Sequence, residues 1–202
     1  VLVCGPSGCG KTTLAWNLQA VLQSPLLYWH LALVDENSQE TYKPFQRISS
    51  TIMRALEAEL KALETDKKGV LEEFDVAPWS MDYGYFWSAE LESVHIIVEL
   101  YKQLWEIRLQ DPNMSWTEAQ SKLKFVPKGK MPLNEGKKRL ERYKMKDCPL
   151  TTFLDEASVS GYKSPYPTIT SAVIMVYARS LFSFLNIVPV LAGAEAGVGI
   201  VS

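Results

Sequence analysis

Nine residues near the start of the chain constrain it more than any others: Gly5-Pro6-Ser7-Gly8-Cys9-Gly10-Lys11-Thr12-Thr13. A short apolar run, Val1-Leu2-Val3-Cys4, leads into them, and Thr13-Leu14-Ala15-Trp16-Asn17-Leu18 continues as an apolar-faced helix. Strand, glycine-rich turn and helix N-terminus together form the setting of a phosphate-binding loop. The glycines let the backbone curl until successive N–H groups point at one anion. The unpaired amides and dipole of the helix start add to the same site. Lys11 is placed to reach the β- and γ-phosphates of a nucleotide, and the Thr12 hydroxyl to coordinate Mg²⁺. At average glycine usage, the spacing Gly5-x-x-x-x-Gly10-Lys11-Thr12 arises by accident in only about one chain in a hundred of this length. Its strand and helix flanks make accident rarer still.

Composition narrows the class around that motif. The chain has 202 residues, enough for one large domain with its own core, and 47% are hydrophobic against 22% charged. A net charge of −2 creates no global field that would draw the whole chain to nucleic acid or membrane. The cysteines Cys4, Cys9 and Cys148 are odd in number and sparse, which favours free thiols in a reducing, intracellular compartment. No Cys/His spacing suggests zinc. Both ends read as cut, which predicts a fragment comprising a single domain over residues 1–202. The apolar run Ala172–Ser202 is interrupted by Arg179 and Pro189 before it reaches the length of a membrane span.

Beyond the first helix, Pro25–Val34 reads as a second strand, apolar almost throughout, as suits a parallel strand covered on both faces. His30 within it is expected to be structural. Ile48, Ile52, Leu56, Leu60 and Leu63 recur at helical spacing and predict an amphipathic helix from about Pro44 to Thr65. Gly69–Gly84 reads as irregular. A second helix is expected from Tyr85 to Gln110, with Leu91, Val94, Val98, Tyr101, Leu104 and Trp105 facing inward and His95 structural. These elements make a helical insertion, about residues 40–146, between the second strand and the next motif.

From Gln120 to Asp147 the charge inverts. Ten basic residues (Lys122, Lys124, Lys128, Lys130, Lys137, Lys138, Arg139, Arg142, Lys144, Lys146) stand against Glu135, Glu141 and Asp147. Of 21 basic and 23 acidic residues in the whole chain, that leaves 11 and 20 elsewhere. A surface for nucleic acid or an acidic partner is one reading, and a solvated helix and loop is the favoured one.

Cys148-Pro149-Leu150-Thr151-Thr152-Phe153-Leu154-Asp155-Glu156 is a strand ending in adjacent carboxylates. Asp155 is then the residue that holds Mg²⁺, and Glu156 the one that polarises an attacking water. Val34-Asp35-Glu36 is the rival pair, but it follows the first helix directly, where the second strand belongs. Ser158–Pro167 reads as a ligand-contacting loop, Thr168–Leu185 as a helix and Ile187–Leu191 as a buried strand. The fold class expected is α/β, a doubly wound, mostly parallel sheet with helices on both faces.

Three elements carry a resemblance. Gly5–Thr13 resembles a Walker A motif, and Phe153-Leu154-Asp155-Glu156-Ala157 a Walker B motif with its catalytic glutamate. Val188-Pro189-Val190-Leu191-Ala192-Gly193 resembles the strand that follows it. Together they are similar to P-loop ATPases of the additional-strand, catalytic-glutamate class, which includes AAA-type and STAND-type ATPases. The long insertion and the Phe-Leu-Asp-Glu-Ala strand are further similar to the ATPase domain of Crinkler-type effectors, which implies action in a host cytoplasm or nucleus. Where the class carries a polar sensor residue, this chain has Ala192-Gly193-Ala194, with Glu195 the nearest polar group. Arg179 is the one late candidate for an arginine finger. A Leu-Ser-Gly-Gly-Gln signature is missing before the Walker B strand, which sets aside the transporter ATPases.

The leading expectation is therefore ATP binding with Mg²⁺-dependent hydrolysis that drives or gates an attached effector module, with a protein partner or self-association. One alternative is a P-loop kinase for a small molecule, with Asp155 or Asp35 as base. Another is an ATP-dependent switch or scaffold without turnover.

Overall fold

The computed structural model describes residues 1–5, 9–31, 43–66, 90–155 and 171–193. Four strands form one parallel sheet: β1 (Leu2–Cys4), β2 (Leu26–His30), β5 (Leu150–Asp155) and β6 (Ile187–Gly193). Their order across the sheet is β1-β6-β5-β2, so the last strand in sequence lies between the first and the strand that ends in Asp155. Registers pair Val3 with Ala192, Leu154 with Leu191, and His30 with Asp155. All strands point the same way, so the C-terminal ends of β1, β2, β5 and β6 share one edge.

Because strand side chains alternate between faces, one sheet serves two cores. Leu27, Trp29, Leu31, Leu150, Leu154, Ile187 and Leu191 belong to a large core. Leu26, Tyr28, Phe153, Val190 and Ala192 belong to a smaller one with Ala15. Ala15 comes from α1 (Lys11–Val21), the helix that follows the glycine-rich turn. The large core is filled by α2 (Lys43–Asp66), α3 (Glu92–Gln110), α5 (Leu133–Leu140) and α6 (Ser171–Leu185). Helices thus flank the sheet on both sides. The sequence expectation of an α/β fold with a parallel sheet holds at this level.

Local signals account for most element bounds. The Ile48, Ile52, Leu56, Leu60 stripe is buried, and α2 begins one residue before Pro44, a residue suited to a first helical turn. In α3, Val94, Val98, Tyr101 and Leu104 are buried and Trp105 is half-buried. Ile96, Ile97 and Leu100 are buried too, so the helix is wrapped by its neighbours. The Tyr101 hydroxyl donates to the Thr151 carbonyl at 2.7 Å, tying α3 to the start of β5.

Two expectations change. The helix predicted from Tyr85 starts at Glu92, because Glu90–Leu91 (β3) pairs antiparallel with Met131–Pro132 (β4). A two-strand ladder overrides a helical periodicity that ran through it. The insertion also holds more than two helices: α4 (Trp116–Ser121) and α5 lie within the stretch leading to and through the basic segment. The second strand is Leu26–His30, and residues 32–34 of the expected run lie outside the described residues. So do the Gly69–Gly84 and Ser158–Pro167 stretches, the Asp35-Glu36 rival pair and residues 168–170 before α6.

Candidate functional site

Gly10 caps α1 with φ 92° and ψ 17°, left-handed values that suit glycine, and its carbonyl accepts the first helical bond from Leu14 N at 2.9 Å. Among the described residues the N-cap Gly10 offers no side-chain cap and no acid lies in the first turn of α1, so the positive end of its dipole meets no carboxylate there. Gly5, at the end of β1, has Cys9 folded over it. A Cβ there would come within 2.7 Å of Cys9 Sγ. Gly5 and Cys9 therefore lie in direct contact. Pro6, Ser7 and Gly8 lie outside the described residues.

Lys11 is the first residue of α1, and only 9% of its surface is exposed. Its ammonium donates to the Gly5 carbonyl at 2.8 Å, so the cation is folded back over the turn. Thr12 reaches across the sheet edge: its hydroxyl donates to Asp155 Oδ2 at 2.7 Å. These residues are 143 apart in sequence. The path is open because the strand between them, β6, ends in Ala192 and Gly193, which are buried and small. Asp155 is 1% exposed, at the C-terminal end of β5, whose six residues are all buried. Thr13 and Cys9 are exposed beside the turn.

Sequence reasoning missed one member of this group. Tyr28, on β2, donates its hydroxyl to the same Asp155 Oδ2 at 2.6 Å. Its ring stacks on Phe153 (centroids 5.9 Å apart) and lies tilted against Trp16 of α1 at 6.4 Å. In sequence, Tyr28 is one aromatic in an apolar run. Only strand register shows that its face is the face of Asp155.

Gln120 was also missed. Its amide accepts from Tyr28 N at 2.9 Å and donates to the Tyr28 carbonyl, completing the outer side of β2 as a neighbouring strand would. Gln120 sits on α4, whose start is capped by Ser115 accepting from Glu118 N at 3.1 Å. The Ser-x-x-Glu spacing of Ser115 and Glu118 is the sequence signal that would have found this helix.

Two oxygen donors, the Asp155 carboxylate and the Thr12 hydroxyl, therefore converge at the mouth of the turn. Such hard donors fit Mg²⁺, which takes one or two protein ligands and fills the rest of its octahedron with phosphate and water. Among the described residues no three His, Cys, Asp or Glu side chains gather into an all-protein cage, and a phosphate-borne Mg²⁺ needs none.

Of the remaining candidates, His30 stands at the register position beside Asp155, and the others are not brought to this point by the described residues. Glu156, Ala194 and Glu195 lie outside them. Arg179 is exposed on α6. His30 is half-buried at the end of β2. In the basic segment the lysines and arginines lie at the surface, and Lys122, Arg139 and Lys144 pair with Glu118, Glu135 and Glu141 one turn away. Cys4, Cys9 and Cys148 are free thiols. Among the described residues no helix is long and apolar enough to cross a membrane. No protein-family model and no curated protein sequence matches the chain.

Proposed function

We propose that the chain binds Mg²⁺ and ATP and hydrolyses the nucleotide, as the motor or gate of an attached effector module. The observation that carries this reading is the Thr12–Asp155 hydrogen bond of 2.7 Å at the N-terminus of α1, beside the buried ammonium of Lys11. Phosphate chemistry needs a cation, an amide cradle and a metal-binding carboxylate at one place, and these residues supply them. The strand order β1-β6-β5-β2 supports the additional-strand class in particular, because it inserts β6 between the P-loop strand and the Asp155 strand.

In this reading the amides at the start of α1 hold the β-phosphate, and Lys11 exchanges the Gly5 carbonyl for the β- and γ-phosphate oxygens. The exchange is favourable because an ammonium bonds an anion about twice as strongly as a neutral carbonyl. Thr12 and Asp155 would hold Mg²⁺, which when bound offsets the charge on the β- and γ-phosphates. Glu156, next in the chain after Asp155, orients the attacking water and accepts its proton. Water approaches the γ-phosphorus in line as the bond to the ADP oxygen breaks, and the products are ADP and inorganic phosphate.

A second reading, an ATP-binding switch without turnover, is favoured by one feature. The described residues of β6 reach the site with Ala192 and Gly193 and bring no polar side chain to it.

Incubation of the chain with Mg²⁺ and ATP tests these readings. The parent should release phosphate. Lys11→Ala should lose ATP affinity by roughly a hundredfold, the loss of a charged hydrogen-bond partner of phosphate. Glu156→Gln should keep ATP binding and lose about a hundredfold or more in release. ATP binding by the parent without phosphate release would favour the switch. Equal ATP affinity in parent and Lys11→Ala would sink the P-loop assignment itself.

A further inference from the structure

Tyr28 is built into the site more firmly than packing alone would require. Its hydroxyl lies 2.6 Å from Asp155 Oδ2, and the residue is 2% exposed. The same oxygen accepts from Thr12 at 2.7 Å, so two hydroxyls, one from α1 and one from β2, hold one oxygen of the carboxylate. Phe153 and Trp16 restrict the ring on two sides. Its backbone N–H and carbonyl are both taken by Gln120. The tyrosine is thus held at ring, hydroxyl and backbone, from α1, β5 and α4.

A carboxylate bound to a metal is only as well placed as the groups that orient it, and such outer partners commonly set metal affinity. We propose that Tyr28 is a positioning residue for the Mg²⁺ that accompanies ATP, acting through Asp155. The inference rests on the proposed nucleotide function. It adds a residue that no motif contains and that enters from β2. Because Gln120 belongs to α4, the helical insertion itself holds the tyrosine in place. The site is then supported from the insertion as well as from the glycine-rich turn.

Tyr28→Phe removes the hydroxyl and leaves the ring in its stack, so it is the appropriate variant. Thr152→Val is its control. Thr152 also places a buried hydroxyl in the sheet, donating to the Leu27 carbonyl at 3.3 Å, but does not touch Asp155. ATP binding is measured by calorimetry in EDTA, and again at a fixed ATP concentration while Mg²⁺ is titrated. In Tyr28→Phe the Mg²⁺ concentration for half-maximal effect should rise roughly tenfold or more. Binding of ATP in EDTA should be unchanged. Thr152→Val should leave the Mg²⁺ midpoint where it is in the parent, whatever its melting temperature.

An unmoved midpoint in Tyr28→Phe, with normal Mg²⁺-dependent ATP binding by the parent, overturns this inference and leaves the nucleotide function standing. An equal loss in EDTA, or an equal shift in Thr152→Val, also overturns it by reducing the role to folding. A parent that binds no ATP overturns the nucleotide function, and the inference with it.

Discussion

The two faces of the sheet differ in what they are made of. One face is covered by α2, α3, α5 and α6 over a core that includes Trp29, Ile52, Leu56, Tyr101, Leu104, Leu140 and Leu154. The other, in its described part, carries α1 over Leu26, Tyr28, Phe153, Val190 and Ala192. Among the described residues, the polar groups that converge at the candidate site lie at the edge of this second, thinner face: Lys11, Thr12, Tyr28 and Asp155. Neighbouring residues of one strand therefore divide the work. Leu154 packs the thick core, and Asp155 holds the site. The larger apolar burial on one side offsets the desolvation of the polar groups buried on the other.

That comparison can be broken by mutation. The largest effect is expected in the thick core. Leu104→Ala removes a fully buried side chain from α3 and should cost about 2–5 kcal/mol by urea denaturation. ATP affinity of the folded fraction should not change. Weaker binding at equal folding would mean that the two faces are coupled.

Two glycines sharpen it. Gly136, in α5 of the thick face, has no room for a methyl group: a Cβ would lie 2.5 Å from Val94 Cγ1. Gly136→Ala should cost roughly 1–3 kcal/mol through overpacking. Gly10, at the site, has open space around its Cβ position and a φ of 92°. Gly10→Ala should cost less stability, about 1–2 kcal/mol of left-handed strain, and should weaken ATP binding by distorting the turn. The reverse ranking of stability losses would contradict the packing assigned to α5.

A smaller effect should appear with pH. Glu59 on α2 accepts from Ser93 N and Ser93 Oγ at 2.9 and 2.7 Å, bonding the start of α3. Burial raises its carboxyl above the ordinary value of 4.5, more than the bonds from Ser93 lower it. Since the folded value exceeds the unfolded one, protonated Glu59 favours the folded state. Its contribution is complete below 4.5 and is lost as pH rises through the raised value. Denaturation midpoints should therefore fall with pH just above 4.5 in the parent, and Glu59→Gln should flatten that slope. An unchanged slope would place the titration elsewhere.

The smallest effect is expected in the basic segment. Phe125, 80% exposed, lies among exposed Lys122, Lys124, Lys128 and Lys130. Changing Lys137, Lys138, Arg139 and Arg142 to Glu should alter stability by about 0.5 kcal/mol or less per site. In fluorescence anisotropy at two salt concentrations, the parent should show no saturable binding of DNA. Saturable binding that weakens steeply with salt and vanishes in the Glu variant would assign the segment a nucleic-acid role instead.

The chain alone determined its local features. Gly10 falls at the one described glycine with positive φ because the spacing to Lys11 and Thr12 encodes a turn into a helix. α2 spans Lys43–Asp66, within a residue of the Ile48–Leu60 stripe's expected bounds, because helical periodicity is written in consecutive residues. The described part of β5 reaches Asp155, the charge at which the apolar run of the sequence stops. Tertiary structure decided the rest. Residues 143 apart, Thr12 and Asp155, meet only because β6 slots between β1 and β5 and ends in small side chains. Tyr28 and Gln120, 92 apart, meet because β2 needs a partner on its outer side. α3 starts at Glu92 because β3 finds β4. Strand order, register and edge pairing depend on which surfaces the whole chain can bury together, and no window of neighbouring residues contains that information.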